Sequence, residues 1–176
     1  SEKHLPLWML TETLSFGCVV RMVQGADKET RAQIAQPFAI RPGLFDSWLL
    51  AINYARNICA HHARLWNRRL RVTPAYPDED EWKHPVNIRD TQTGGRAFGI
   101  LTLSNYCLNK ISPNHSWAER FGKLLERFPN VPRRFMGMPD NWMACPIWSN
   151  ATPTTPGPAA SGSIALPAIR PPESRD

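Results

Sequence analysis

Apolar and polar positions alternate along this chain with helical rather than strand periods, and the breaks between them divide it into candidate helices. Residues 5–23 carry Leu7, Trp8, Met9, Leu10, Leu14, Phe16, Val19, Val20, Met22 and Val23. That stretch is apolar nearly all round, which predicts a helix buried on most sides. Asp27 can cap a second, shorter helix, which Gln36-Pro37 stops. Pro42-Gly43 precedes a long helix predicted over 44–67, whose Phe45, Trp48, Ile52, Ala55, Cys59 and Trp66 recur at spacings of three, four or their sums and mark a core face. Residues 73–95 read as a connector with Pro74, Pro77, Pro85, a solvated acidic run at 78–81 and Gly94-Gly95. A third long helix is predicted over 96–111, with Ile100, Leu103, Cys107 and Ile111 on one stripe and Ser112-Pro113 as its end. Ser116 and Glu119 have capping-box spacing for a further helix to about Arg127. After Phe128 the pattern becomes irregular but stays rich in aromatics, as in a segment that packs across a bundle. From Ala151 onward Pro, Ala, Ser and Gly dominate, the composition of a disordered tail. The expectation is an all-α bundle over residues 1–150 followed by a tail over 151–176, without internal repeats.

The predicted helix 44–67 has a second stripe. Asn53, Asn57, His61, Arg64 and Arg68 follow the same three-and-four rule on another side, and Arg56 lies beside them. A merely solvated face favours Lys and Glu. Amides, imidazole and guanidinium bind phosphate and move protons. The formal net charge of +6 and a pI near 9.5 suit an anionic partner such as RNA. Arg64, Arg68, Arg69 and Arg71 follow directly on the stripe; Asn53, Arg68, Arg69 and Arg71 are the candidate RNA-binding residues, with Arg64 in a supporting role.

RNA cleavage without a metal needs a base for the ribose 2′-OH, an acid for the leaving 5′-oxygen and a cation for the transition-state charge. His61 can be acid or base. Arg56 can hold a phosphate through two parallel hydrogen bonds. Asn57, four residues before His61, can orient the imidazole or the phosphate. Arg56 and His61 stand roughly 140° apart around an ideal helix, so one copy makes a poor complete site. Two copies facing across a two-fold axis would supply both an acid and a base. His62 points about 100° from His61 and suits a supporting role. Arg64 can contact phosphate. Glu12 is a lone carboxylate on an apolar helix, where burial would be costly. Arg21 is too distant to pair with it, so Arg56 is its candidate partner; the alternative is that Glu12 faces solvent or a further N-terminal segment. Taken alone, Arg56 and His61 also fit a helix surface that binds a neighbouring loop.

Cys18, Cys59, Cys107 and Cys145 contain no C-x-x-C pair, against a zinc ribbon. The first three fall in apolar helical stretches and read as small core residues in a reducing compartment. His61 and His62 diverge, and His84 and His115 lie in loops without ligand spacing, so no metal or cofactor is expected. With no signal peptide and no run long enough to cross a bilayer, the expected place is the cytoplasm, away from membranes.

Arg56 and His61, in the string Arg56-Asn57-Ile58-Cys59-Ala60-His61, resemble the R-x4-6-H motif of HEPN-domain ribonucleases. The wider run 56–68 resembles the Abi (abortive infection, AbiD/AbiF-like) phage-resistance family. So do the blocks Leu5-Pro6-Leu7-Trp8-Met9-Leu10-Thr11-Glu12 with Leu14-Ser15-Phe16-Gly17, the stretch 129–138, and Pro139-Asp140-Asn141-Trp142 running to Pro146-Ile147-Trp148. The resemblance covers most of residues 5–148. It implies the HEPN helical fold, a metal-independent endoribonuclease in a phage-defence or toxin role, pairing into homodimers, and an RNA or protein antitoxin as a partner of a toxin. It also implies a further N-terminal segment before the first block, hence a shortened chain. Two other classes fit the same stripe: a non-catalytic RNA-binding module and a protein-interaction domain.

Overall fold

The computed structural model describes residues 6–83, 87–90 and 92–149. The expected disordered tail and His84 lie outside the described residues. Within them all regular structure is helical and no strand forms: the fold class is all-α.

The single helix expected over residues 5–23 is two. α1 spans Leu7–Thr13 and α2 spans Phe16–Gly25. Leu14 and Ser15 between them are extended, and Ser15 Oγ accepts from the Cys18 amide at 3.3 Å, so an N-cap restarts the helix. Nor are these helices buried on most sides. Leu7 and Trp8 are 65% and 64% exposed, and across α1 and α2 only Val20 is fully buried. α3, Lys28–Ala35, begins as expected: Asp27 Oδ1 accepts from the Thr30 amide at 2.9 Å. That bond and the Thr30 hydroxyl hold the Asp27 carboxyl below its usual range. A 3-10 turn at Gln36–Phe38 ends it.

α4, Pro42–Ala60, is the longest helix and packs against α2, α3 and α5. Pro42 sits at its first position, where a missing N–H is harmless. Phe45, Trp48, Ala51, Ala55 and Ile58 form its buried face. Ile58 therefore takes the core position assigned to Cys59, which is exposed, as is Cys18. Arg31 of α3 pairs with Asp46 and ties the two helices together.

α5, Ala97–Ile111, runs through the centre. Phe98, Ile100, Thr102, Leu103, Asn105 and Tyr106 are all buried, whereas Ile111 at its end is exposed. Burial pushes the half-buried Cys107 thiol up to about 12. α6 spans Trp117–Arg127 and α7 spans Pro146–Ser149. The capping box at Ser116 does not form. Glu119 binds Lys123 at 2.5 Å, and His115 Nδ1 accepts from the Trp117 amide at 3.1 Å.

Two aromatic groups build the core. Trp48, Trp82 and Tyr106 lie 5.1–5.5 Å apart between ring centres. Trp148 contacts the rings of Phe98, Trp117, Phe121 and Trp142 at 5.0–5.7 Å. Their polar atoms are placed: Trp48 Nε1 donates to the Ala75 carbonyl at 2.7 Å, and Trp148 Nε1 to Thr102 Oγ1 at 3.1 Å. The stretch after Phe128 does pack across the bundle, contributing Met136, Met138, Trp142, Cys145, Ile147 and Trp148 to the core.

The connector is less solvated than its composition suggests. Asp78, Glu79 and Asp80 are exposed, but Trp82 in the next turn and Ile88 are core residues. Gly94 and Gly99 let backbone approach backbone there. A Cβ on Gly99 would lie 2.3 Å from both the Gly94 carbonyl oxygen and the Tyr76 hydroxyl, which donates to that same carbonyl at 2.8 Å.

Candidate functional site

The expected helix over residues 44–67 stops at Ala60 without a Gly or Pro. His61 is its C-cap (φ −91°, ψ 21°), and its amide donates to the Asn57 carbonyl at 3.0 Å. His62 turns left-handed at φ 55°. Its amide then donates to the Cys59 carbonyl, and the Ala63 amide reaches back to the Ile58 carbonyl, each at 3.0 Å. These are the two bonds of a Schellman stop. The left-handed conformation costs a non-glycine residue about 1–2 kcal/mol. His62 is thus a helix terminator, a role its spacing from His61 did not reveal.

The stop divides the expected polar stripe. Arg56, Asn57 and His61 remain on α4 or its cap; Arg64, Arg68, Arg69 and Arg71 lie on the irregular segment beyond and are exposed. Arg56 and His61 are exposed and contribute nothing to the core. Arg56 Nη1 donates to Asn57 Oδ1 at 3.2 Å, so Asn57 holds the guanidinium rather than the imidazole. Asn53 is half-buried toward α2: a Cβ on Gly17 would sit 3.6 Å from its Oδ1. Glu12 is exposed on α1 and, among the described residues, forms no ion pair with Arg56.

Arg64, Trp66, Asn67, Arg68 and Arg69 line an open depression of about 500 Å³. Trp66, one of these lining residues, is half-buried and meets Phe135 edge to face, with ring centres 5.4 Å apart. Among the described residues, no carboxylate pairs with Arg64, Arg68, Arg69 or Arg71, and no group of three or more His, Cys, Asp or Glu is placed to hold a metal ion. No described helix is long and apolar enough to cross a membrane.

Residues 1–67 match the model of the Abi-like protein family. The Abi-like match supports the abortive-infection family over α1 to α4 and ends just past the helix stop. The blocks at 129–138 and 139–148 lie outside it. No curated protein and no solved structure matches the chain.

Proposed function

We propose that this chain is a metal-independent endoribonuclease of an abortive-infection phage defence. The observation that carries the reading is the end of α4. Arg56 and His61 stand exposed there, unused by the core, beside an arginine-lined depression whose arginines pair with no carboxylate among the described residues. The Abi-like match over residues 1–67 supports the defence role.

In the proposed reaction a base takes the 2′-OH proton and the 2′-oxygen attacks phosphorus. The bond to the 5′-oxygen breaks, and an acid protonates that oxygen. The products are a 2′,3′-cyclic phosphate and a 5′-hydroxyl. His61 supplies one proton-transfer group, and Arg56, steadied by Asn57, balances the charge gathering on the phosphate oxygens. A second chain, related by a two-fold axis, supplies the other imidazole.

The test is cleavage of RNA in the presence and absence of EDTA, with Arg56→Ala and His61→Ala chains alongside. Activity should survive the chelator, and each variant should lose it while melting at the parental temperature. Activity abolished by EDTA and restored by one divalent ion rejects the mechanism. Mixing the two variants should restore partial activity if each site draws on both chains; a monomer active at nanomolar concentration rejects the shared site. A chain whose binding survives His61→Ala but which never cleaves is an RNA-binding module instead.

A further inference from the structure

The positive charge of this protein is concentrated in two stretches far apart in sequence. Residues 47–77 contain five arginines and no acid, and residues 128–139 contain two and no acid. Those seven cations exceed the net charge of +6, so the rest of the chain sums to −1. The fold brings the two stretches together. Trp66 of the first meets Phe135 of the second, and the Arg134 guanidinium lies over the Phe135 ring, 4.8 Å from its centre. Arg134 is exposed, and among the described residues neither it nor Arg133 pairs with a carboxylate.

The second stretch is held firmly. Arg96, the N-cap of α5, donates from Nη1 to the Phe135 carbonyl at 3.2 Å. Gly137 closes the 3-10 turn Arg133–Met136 at φ 75°, and a Cβ there would lie 2.5 Å from the Gln92 carbonyl oxygen. Met136 and Met138 on either side are buried. Arg133 and Arg134 are therefore presented from a fixed backbone.

We infer that the nucleic-acid surface is bipartite: Arg64, Arg68 and Arg69 form one bank, Arg133 and Arg134 the other, with Trp66 and Phe135 between them, and the ligand is single-stranded RNA. Unpaired guanidiniums bind phosphates of either form. Trp66, which lines the depression, selects the form, because only a single strand can turn base faces toward a ring, whereas a duplex keeps them stacked inside. This rests on the RNA reading of the α4 end but requires no cleavage.

Binding of a labelled twelve-nucleotide single-stranded RNA to His61→Ala chains, followed by fluorescence anisotropy across a salt series in EDTA, tests it. Arg133→Ala with Arg134→Ala should weaken binding several-fold and reduce the slope of log affinity against log salt by about 1.4, roughly 0.7 per lost phosphate contact on a single strand. Lys110→Ala is the control: Lys110 lines a separate depression with Glu79 and Glu81, and its loss should change neither quantity. A hairpin duplex should bind more weakly. A parental slope in the double variant, tighter binding of the duplex, or no binding by the parent overturns the proposal. Cleavage by the unmutated chain is scored separately, so loss of the ribonuclease reading and loss of the second bank are distinct results.

Discussion

The end of α4 and the aromatic centre around α5 draw on similar residues and use them in opposite ways. In the centre, rings bury one another and their polar atoms are tied down. Trp148 Nε1 finds Thr102, Trp48 Nε1 finds Ala75, and Tyr106 OH finds the Phe38 carbonyl at 3.0 Å. Burial, helped by the nearby Glu81 carboxylate, pushes the Tyr106 hydroxyl up to about 12. At the end of α4, histidine and arginine side chains face water, and the order lies in the backbone that stops the helix. The contrast separates what makes the protein fold from what is free to act. Residues satisfied inside the molecule are committed to stability; unpaired, exposed cations on a fixed backbone are left for a ligand.

The difference is sharpest if one region can be damaged without the other. Trp148→Ala should have the largest effect, destabilising the fold by about 3–5 kcal/mol, the range for truncating a buried aromatic. Chemical denaturation would measure it, and a loss below about 1 kcal/mol would mean that the Trp148 ring cluster is not central. Gly99→Ala comes next. Its methyl would collide with the Gly94 carbonyl and the Tyr76 hydroxyl, and overpacking of this kind costs about 1–3 kcal/mol. The smallest effect has the opposite sign. His62→Gly relieves a left-handed strain of about 1–2 kcal/mol but loosens the unfolded chain, for a net gain of roughly 0.5–1 kcal/mol. If His62 only terminates the helix, that variant also keeps any RNA cleavage. A stabilised but inactive His62→Gly chain would move His62 into the chemistry and blur the separation between folding and acting residues.

Much of the stable region was legible in the sequence. Asp27 caps α3, Gln36-Pro37 ends it, Pro42-Gly43 marks the start of α4 to within two residues, and Ile100 and Leu103 mark the buried side of α5. Each is a local signal with a local cause. The errors lie where a non-local or unusual backbone choice decides. Leu14-Ser15 breaks an apolar run with no Gly or Pro to announce it. His62 takes a conformation that normally favours glycine, so the sequence pattern carries the helix seven residues past its actual end at Ala60. Trp82 reaches the core from a three-residue turn, too short for any periodicity to show. Cys18 and Cys59 are exposed because position on a face, rather than presence in an apolar stretch, sets burial. The candidate site was legible as residue types around Arg56 and His61. The neighbour that supplies Phe135 and Arg134 was not, since only the folded chain joins 66 to 135.

The helix stop also acts as a length gauge. Because one left-handed residue ends α4, the shape of the whole arginine segment hangs on position 62. A β-branched residue there resists a positive φ, and the simplest relief is to continue the helix. Each further residue would then add about 1.5 Å of rise and about 100° of rotation. Arg64, Arg68 and Arg69 would fan out around a rod instead of lining one hollow, and Trp66 would swing away from Phe135. A single substitution far from any packing defect could in this way redistribute the proposed binding surface while leaving the bundle beneath it intact.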